Sequence, residues 1–201
     1  MKYYTSIGPN PRVVSLFMAE RDIKPEIVKI DLRNAENRGE VFLRINPTGT
    51  VPALELDDGT VIAEVTAMCE YLDEVTPGPS LIGNTALERA ETRMWTRRID
   101  LNIAEPMTNG YRFGEGLAMF QTRLRCIPEA SDGLKATARE KMAWLDGQMV
   151  GRSWICGERF TLADIFLFAF LEFGTKIGQP FDTALAWIPA WYERMAARFA
   201  K

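Results

Sequence analysis

The chain contains no histidine in its 201 residues. That absence removes the Ser-His-Asp and Cys-His nucleophile systems and every metal site built on imidazole, so no metal cofactor is expected and any chemistry must use other groups. Cysteine is scarce as well: Cys69, Cys126 and Cys156 are an odd number, widely spaced, with no C-x-x-C pair. With no basic stretch followed by an apolar segment after Met1, this usage points to a reduced, cytoplasmic compartment. The apolar neighbours Met68, Ile127 and Ile155 mark the three thiols as buried and inert. Long hydrophobic runs are missing, since nothing approaches the ~18 consecutive apolar residues of a membrane span. An excess of one charge is missing too: 24 Lys and Arg stand against 27 Asp and Glu, for a formal net charge of -3. Nucleic acid, which needs a basic surface, and membrane are therefore not expected as partners.

A chain of this length accommodates one large domain or two small ones, at about 100 to 200 residues per domain, and 47% hydrophobic residues supply a core for either. Lys2-Tyr3-Tyr4-Thr5 reads as a short strand, broken by Ser6 to Pro11 ahead of a helix carrying Val13, Val14, Leu16, Phe17 and Met18, with Pro11 in its first turn. Ile27 to Ile30 forms a second strand, and a helix through Val41, Phe42 and Ile45 ends at Asn46-Pro47-Thr48-Gly49. Val51 to Leu56 and Thr60 to Ala63 flank Asp57-Asp58-Gly59, whose Asp-Gly pair is the strongest short hairpin signal. Glu64 to Leu72 then returns to helical spacing through Ala67, Met68, Tyr71 and Leu72. This β-α-β-α-β-β-α order, with an antiparallel hairpin closing an otherwise parallel sheet, predicts an α/β thioredoxin-like domain over residues 1–76.

Residues 77–84, rich in Pro and Gly, read as a linker, and 85–201 as an all-α helical bundle. Thr85-Ala86-Leu87-Glu88 is a capping box opening a long helix that should kink or stop at Pro106. Leu134, Ala138, Met142, Leu145 and Met149 share one helical face, and Pro189, Trp191, Met195 and Phe199 mark a last helix. A second capping box, Thr161 to Asp164, feeds Ile165 to Leu171, which is apolar on every face. Its aromatic residues could be read as a ligand box, but a helix without a solvated face packs as the centre of its domain.

Two segments together resemble the cytosolic glutathione transferases: Asn46-Pro47-Thr48-Gly49-Thr50-Val51-Pro52-Ala53-Leu54 with Glu64-Val65-Thr66-Ala67-Met68-Cys69-Glu70-Tyr71-Leu72, and Trp154-Ile155-Cys156-Gly157-Glu158-Arg159-Phe160-Thr161-Leu162-Ala163-Asp164. The likeness runs in order over nearly the whole chain, and the opening and the Trp154 to Asp164 segment look most like the bacterial beta class. It implies glutathione as co-substrate on the first domain, a helical domain forming much of the site for a small hydrophobic electrophile, and a homodimer. Met68, Tyr71, Met94 and Trp95 are candidates for an apolar dimer patch or for internal core. On the resemblance, Pro52 follows a cis bond, and the Val51 backbone pairs with the cysteinyl backbone of glutathione as an added strand does. Glu64 meets the γ-glutamyl ammonium, and the helix start at Val65 and Thr66 receives the γ-glutamyl carboxylate. Arg33 or Arg38 meets the glycyl carboxylate, and Tyr111 and Phe113 line the electrophile pocket.

The departures from the family bear on mechanism. Val65 stands where Ser usually follows the acid, which leaves a backbone N–H alone at that point. The beta class carries a cysteine near the end of the first loop, where this chain has Asn10, so a mixed disulfide on that residue is unavailable. Gly8-Pro9-Asn10-Pro11 is similar to the Thr-Pro-Asn-Gly loop of the bacterial nu class, in which Thr and Asn replace the usual Tyr, Ser or Cys. Activating glutathione means stabilising its thiolate, against an ordinary thiol pKa of about 8.5. The candidate donors are Asn10, Ser6 and Thr5, while Asn before Pro is also a plain turn former and Tyr4 belongs to the sheet. The leading expectation is conjugation of glutathione to an electrophile; a glutathione-dependent disulfide reductase and a non-catalytic binding module are the alternatives.

Overall fold

Tyr3 and Tyr4 point to opposite faces of one strand, and each anchors a separate layer. In the computed structural model, which describes residues 1–200, that strand is β1 (Lys2–Thr5), inside a four-stranded sheet of order β2-β1-β3-β4. β2 (Glu26–Lys29) runs parallel to β1, and β3 (Ala53–Glu55) and β4 (Val61–Ala63) are antiparallel, with Tyr4 opposite Ala53 and Leu54 opposite Ile62. Tyr4 joins Ile30, Phe42 and Ala53 in one cluster, edge-on to Phe42 at 6.1 Å. Its hydroxyl donates to Glu55 Oε2 at 2.5 Å, and burial with that carboxylate pushes its pKa up to about 12. Tyr4 is thus a sheet residue, as its position in the strand predicts. Tyr3 lies on the other face, where its hydroxyl donates to the Pro11 carbonyl of α1 (Pro9–Glu20) at 2.8 Å. The hairpin forms at Asp58-Gly59, with Gly59 at φ 86° and the Thr60 N–H held by Asp58 Oδ1 at 2.8 Å. α2 (Glu40–Ile45) and α3 (Val65–Val75) complete a first compact unit, Met1–Ile82, whose order is the thioredoxin-like one. β3 starts later than sequence alternation predicts, because Pro52, which follows a cis peptide bond, has no N–H to give a ladder.

The second unit begins at Gly83 and is helical. α4 (Ala86–Ile99) opens on the Thr85–Glu88 box, with the Glu88 N–H donating to Thr85 Oγ1 at 3.1 Å. It does not stop at Pro106. Residues Asp100–Ala104 take π-helical bonds and α5 (Glu105–Phe113) carries on past the proline. A wide turn just ahead accommodates a ring that would otherwise meet the carbonyl four residues back, so of the expected kink or stop, the stop does not occur. α6 (Leu117–Phe120) and α7 (Ser131–Met149) follow, and α7 buries Ala138, Met142, Leu145 and Met149. α8 (Leu162–Lys176) buries every residue from Ile165 to Leu171, so its aromatic run is core and not a ligand box. Each such side chain contributes roughly 1.5 to 3 kcal/mol.

Asp164 is the polar exception in α8, fully buried and accepting from the N–H groups of Ile155 and Thr161 and from Trp191 Nε1, each at 3.0 Å. Trp191 belongs to α9 (Ile188–Arg198), so one carboxylate joins three segments. Asp146 of α7 plays a similar part at the start of α9, accepting from the N–H groups of Ala186, Trp187 and Ile188. Of the thiols, Cys69 and Cys156 are buried and burial raises both pKa values, as expected of inert cysteines. Cys126 is only half-buried, because it lies outside the helices between α6 and α7. No helix among the described residues is long and apolar enough to cross a membrane.

Candidate functional site

The donors expected around the first loop end up in different states. Ser6 donates its hydroxyl to the Ile30 carbonyl at 2.6 Å, which pins the loop to the end of β2 and occupies its proton. The Ser15 and Thr5 hydroxyls face the Tyr3 phenol and oppose the burial that pushes its pKa up to about 12. Asn10 is half-buried at the second position of α1, and its side-chain amide makes no hydrogen bond. Pro9 and Pro11 have no N–H, so Asn10 also supplies the one backbone N–H of the first three helical positions, and no side chain caps it. An uncapped N–H and an unengaged amide therefore come from the same residue, at the positive end of the helix dipole.

The loop that carries Val51 is held carbonyl by carbonyl. Thr48 O accepts from Arg38 Nη1 at 3.2 Å, Gly49 O from Asn37 Nδ2 at 2.6 Å, and Thr50 O from Asn46 Nδ2 at 2.8 Å. Val51 follows, and its N–H and C=O have no partner among the described residues. Asn37 and Asn46 had no assigned role in the sequence reading. The Asn-Pro-Thr-Gly turn could have pointed to Asn46, which bonds within its own turn, but nothing local signals Asn37, whose partner is 12 residues away.

Glu64 precedes α3 with φ 69° and ψ 124°, a region that bulky residues avoid at a cost on the order of 1–3 kcal/mol. Its carboxylate is exposed, and no side chain caps α3. The first intrahelical bond is Met68 N–H to Glu64 O at 2.9 Å, so the N–H groups of Val65, Thr66 and Ala67 start the helix without acceptors in it. The Val65 side chain is buried, while Thr66 is half-buried with a hydroxyl that makes no hydrogen bond. Arg33 is exposed on a turn in which Asp31 Oδ1 accepts the N–H groups of Arg33 at 2.9 Å and Asn34 at 3.1 Å. Those bonds, chiefly from Asn34, hold the Asp31 carboxyl below its usual range. The Arg33 guanidinium makes no hydrogen bond, whereas Arg38 is engaged with Thr48.

In the second unit, Tyr111 and Phe113 are half-buried near the end of α5. The Tyr111 ring lies edge-on to Phe120 at 6.2 Å and Phe173 at 5.9 Å, and an added Cβ on Gly116 would come within 2.9 Å of it. Its hydroxyl makes no hydrogen bond. Met68 and Trp95 are core residues, so they form no surface patch. Leu87, Met94 and Leu101 are exposed instead, at 80%, 40% and 44%, seven residues apart along one line of helix. Among the described residues no cluster of His, Cys, Asp and Glu could hold a metal ion.

Residues 7–75 match the family profile described as Glutathione S-transferase, N-terminal domain, and residues 128–198 match Glutathione S-transferase, C-terminal domain. Glutathione S-transferase 2 of Saccharomyces cerevisiae is 32% identical over 203 aligned positions, covering 98% of this chain and 85% of the yeast protein. Glutathione S-transferase GstA of Escherichia coli O157:H7 is 30% identical, covering 86% of this chain and 81% of that protein. The crystal structure of a glutathione S-transferase domain-containing protein from Marinobacter aquaeolei superposes with a TM-score of 0.94 at 35% identity, covering 100% of this chain and 99% of that one.

Proposed function

The chain belongs to the glutathione S-transferase family and is an enzyme of that class, and from that premise we propose that it conjugates reduced glutathione to small hydrophobic electrophiles, with Asn10 stabilising the thiolate. The observation that carries this reading is the pair of unengaged donors on Asn10, beside a Ser6 hydroxyl already bonded to Ile30 and a Thr5 hydroxyl that faces the Tyr3 phenol. A donor to an anion contributes ~1.5–3 kcal/mol, enough to lower a thiol pKa by one to two units. The thiolate sulfur then attacks the electrophilic carbon, the new C–S bond forms as the leaving group departs with its electron pair, and the thiol proton goes to solvent.

The tripeptide is held by its backbone and its ends. Val51 offers an unpaired N–H and C=O to the cysteinyl unit, the α3 start at Val65 and Thr66 receives the γ-glutamyl carboxylate, and Glu64 meets the neighbouring ammonium. Pro52 sets the loop that exposes Val51, and the unbonded Arg33 guanidinium meets the glycyl carboxylate. Tyr111 and Phe113 contact the electrophile. A homodimer forms through the exposed line of Leu87 and Met94 on α4 and Leu101 just beyond its end, in place of Met68 and Trp95. Light scattering that returns the mass of a single chain at micromolar concentration removes the dimer.

The test of function combines retention on immobilised glutathione with turnover of a halonitroarene and of hydroxyethyl disulfide. Retention with faster halonitroarene turnover is expected. Faster disulfide reduction moves the chemistry to glutathione as reductant, and retention without either turnover leaves a binding module.

A further inference from the structure

Asn37 reaches across from another segment to hold the glutathione loop, and it does so at a cost to itself. It lies in the 3₁₀ turn Glu36–Arg38 and is 5% exposed. Its Nδ2 donates to Gly49 O at 2.6 Å, while its Oδ1 is buried with no partner. An orphaned buried acceptor is unfavourable, so packing alone gives a poor reason for an amide here. The contact between the two segments is close. Gly49 has φ 63°, and an added Cβ would come within 2.9 Å of Arg38 Nη1 and 3.0 Å of the Asn37 carbonyl oxygen. With Thr48 and Thr50 carbonyls taken by Arg38 and Asn46, the Asn37 bond completes a run in which each carbonyl before Val51 is fixed from outside the peptide plane that follows.

We propose that Asn37 is a positioning residue for glutathione. By holding the Gly49 carbonyl it keeps the Val51 N–H and C=O turned out in the orientation that pairs with a peptide backbone. The inference rests on the assignment of Val51 to glutathione and adds to it a residue outside the Asn46 to Leu54 motif. A peptide ligand that binds by backbone pairing is sensitive to the tilt of those two groups, whereas the one side-chain bond of Asn37 goes to Gly49 O and none goes to the thiolate donor on α1.

The experiment compares wild type with Asn37→Ala, which removes the donor together with its orphaned acceptor. Calorimetry with reduced glutathione gives Kd, and steady-state kinetics with 1-chloro-2,4-dinitrobenzene give KM for each substrate and kcat. The Asn37→Ala variant should raise Kd and KM for glutathione about tenfold. Its kcat at saturating glutathione and its KM for the electrophile should stay within roughly twofold, a split that mere loss of folded protein does not produce. Unchanged glutathione Kd in a folded Asn37→Ala overturns the proposal. Should that variant not fold, Asn37→Ser decides, since its hydroxyl keeps a polar group in the turn but is too short to reach Gly49 O; a severalfold rise in glutathione Kd is expected, and an unchanged Kd in the folded variant overturns the proposal. Wild type that takes no glutathione overturns the Val51 assignment and this inference together, while normal wild-type binding beside unaffected variants overturns this inference alone.

Discussion

Helix starts in the two units are built differently. In the second unit, α4 and α8 open on capping boxes, Thr85 with Glu88 and Thr161 with Asp164, so the protein itself meets their first N–H groups. In the first unit, α1 and α3 open on Gly8 at φ 131° and Glu64 at φ 69°, and no side chain caps either. Lack of a cap alone does not separate them, because α7 also begins without one. There, however, Ala130 has φ -86° and carries on a 3₁₀ turn, so the backbone is ordinary. What marks α1 and α3 is open donors together with an uncommon backbone, the combination expected where an anionic group of a ligand takes the place of a cap.

The largest effect should come from emptying a closed start. Asp164→Ala leaves the N–H groups of Ile155 and Thr161 and the Trp191 indole N–H buried without an acceptor. Denaturant unfolding should show a loss of about 3–5 kcal/mol. A loss below about 1 kcal/mol would mean that the cap is replaceable by solvent. The same carboxyl carries a pH signature. Burial pushes it up to about 6 from 3.8, with its four hydrogen bonds pulling the other way. The folded chain then binds this proton more readily than the unfolded chain. Stability from this group therefore falls as pH rises from about 4 through about 6, by ~3 kcal/mol. Unfolding free energies of wild type minus Asp164→Asn, taken at pH 4 and pH 7, should differ in that direction; a flat difference would show the carboxylate ionised throughout.

Features whose chemistry lies within a few neighbouring residues were legible in the sequence. Both capping boxes, the Asp58-Gly59 hairpin and the buried α8 helix depend on contacts within a turn or on unbroken apolarity, and each forms where it was expected. The site is less legible because its deciding bonds join distant segments. That Ser6 donates to Ile30, or that Asn37 holds Gly49, depends on the sheet and loops having folded first. The π turn before Pro106 escaped as a backbone adjustment to the proline ring, and the half-exposure of Cys126 because it lies between helices, where its apolar neighbours do not decide burial.

An open start should show the reverse profile, with ligand chemistry affected and stability not. Asn10→Ala removes an amide that bonds to nothing in the protein, so thermal stability should change little. The pKa of the bound glutathione thiol should rise by about one to two units, equivalent to ~1.5–3 kcal/mol. The readout is ultraviolet thiolate absorbance against pH, with Ser6→Ala as comparison. A larger shift in Ser6→Ala would move the donor role there, despite its bond to Ile30. Thr85→Ala, at a closed start, should instead cost ~1 kcal/mol of stability and leave glutathione Kd as it was.

Glu64 gives the smallest effect and the sharpest separation, because its two properties respond with opposite signs. The backbone at φ 69° is unfavourable for a side chain with a Cβ, so Glu64→Gly relieves strain. Part of that relief is offset by the greater freedom of glycine in the unfolded chain, leaving a gain of about 0.5–1 kcal/mol in unfolding free energy. Glutathione affinity should fall severalfold in the same variant, because the carboxylate proposed to meet the γ-glutamyl ammonium is gone. Glu64→Gln separates the two contributions: it keeps the strained backbone, so stability should stay near wild type, while affinity falls as it does for glycine. A Glu64→Gly protein that is less stable than wild type would show that the positive φ is comfortable in place, and α3 would then differ from α4 and α8 only in lacking a cap.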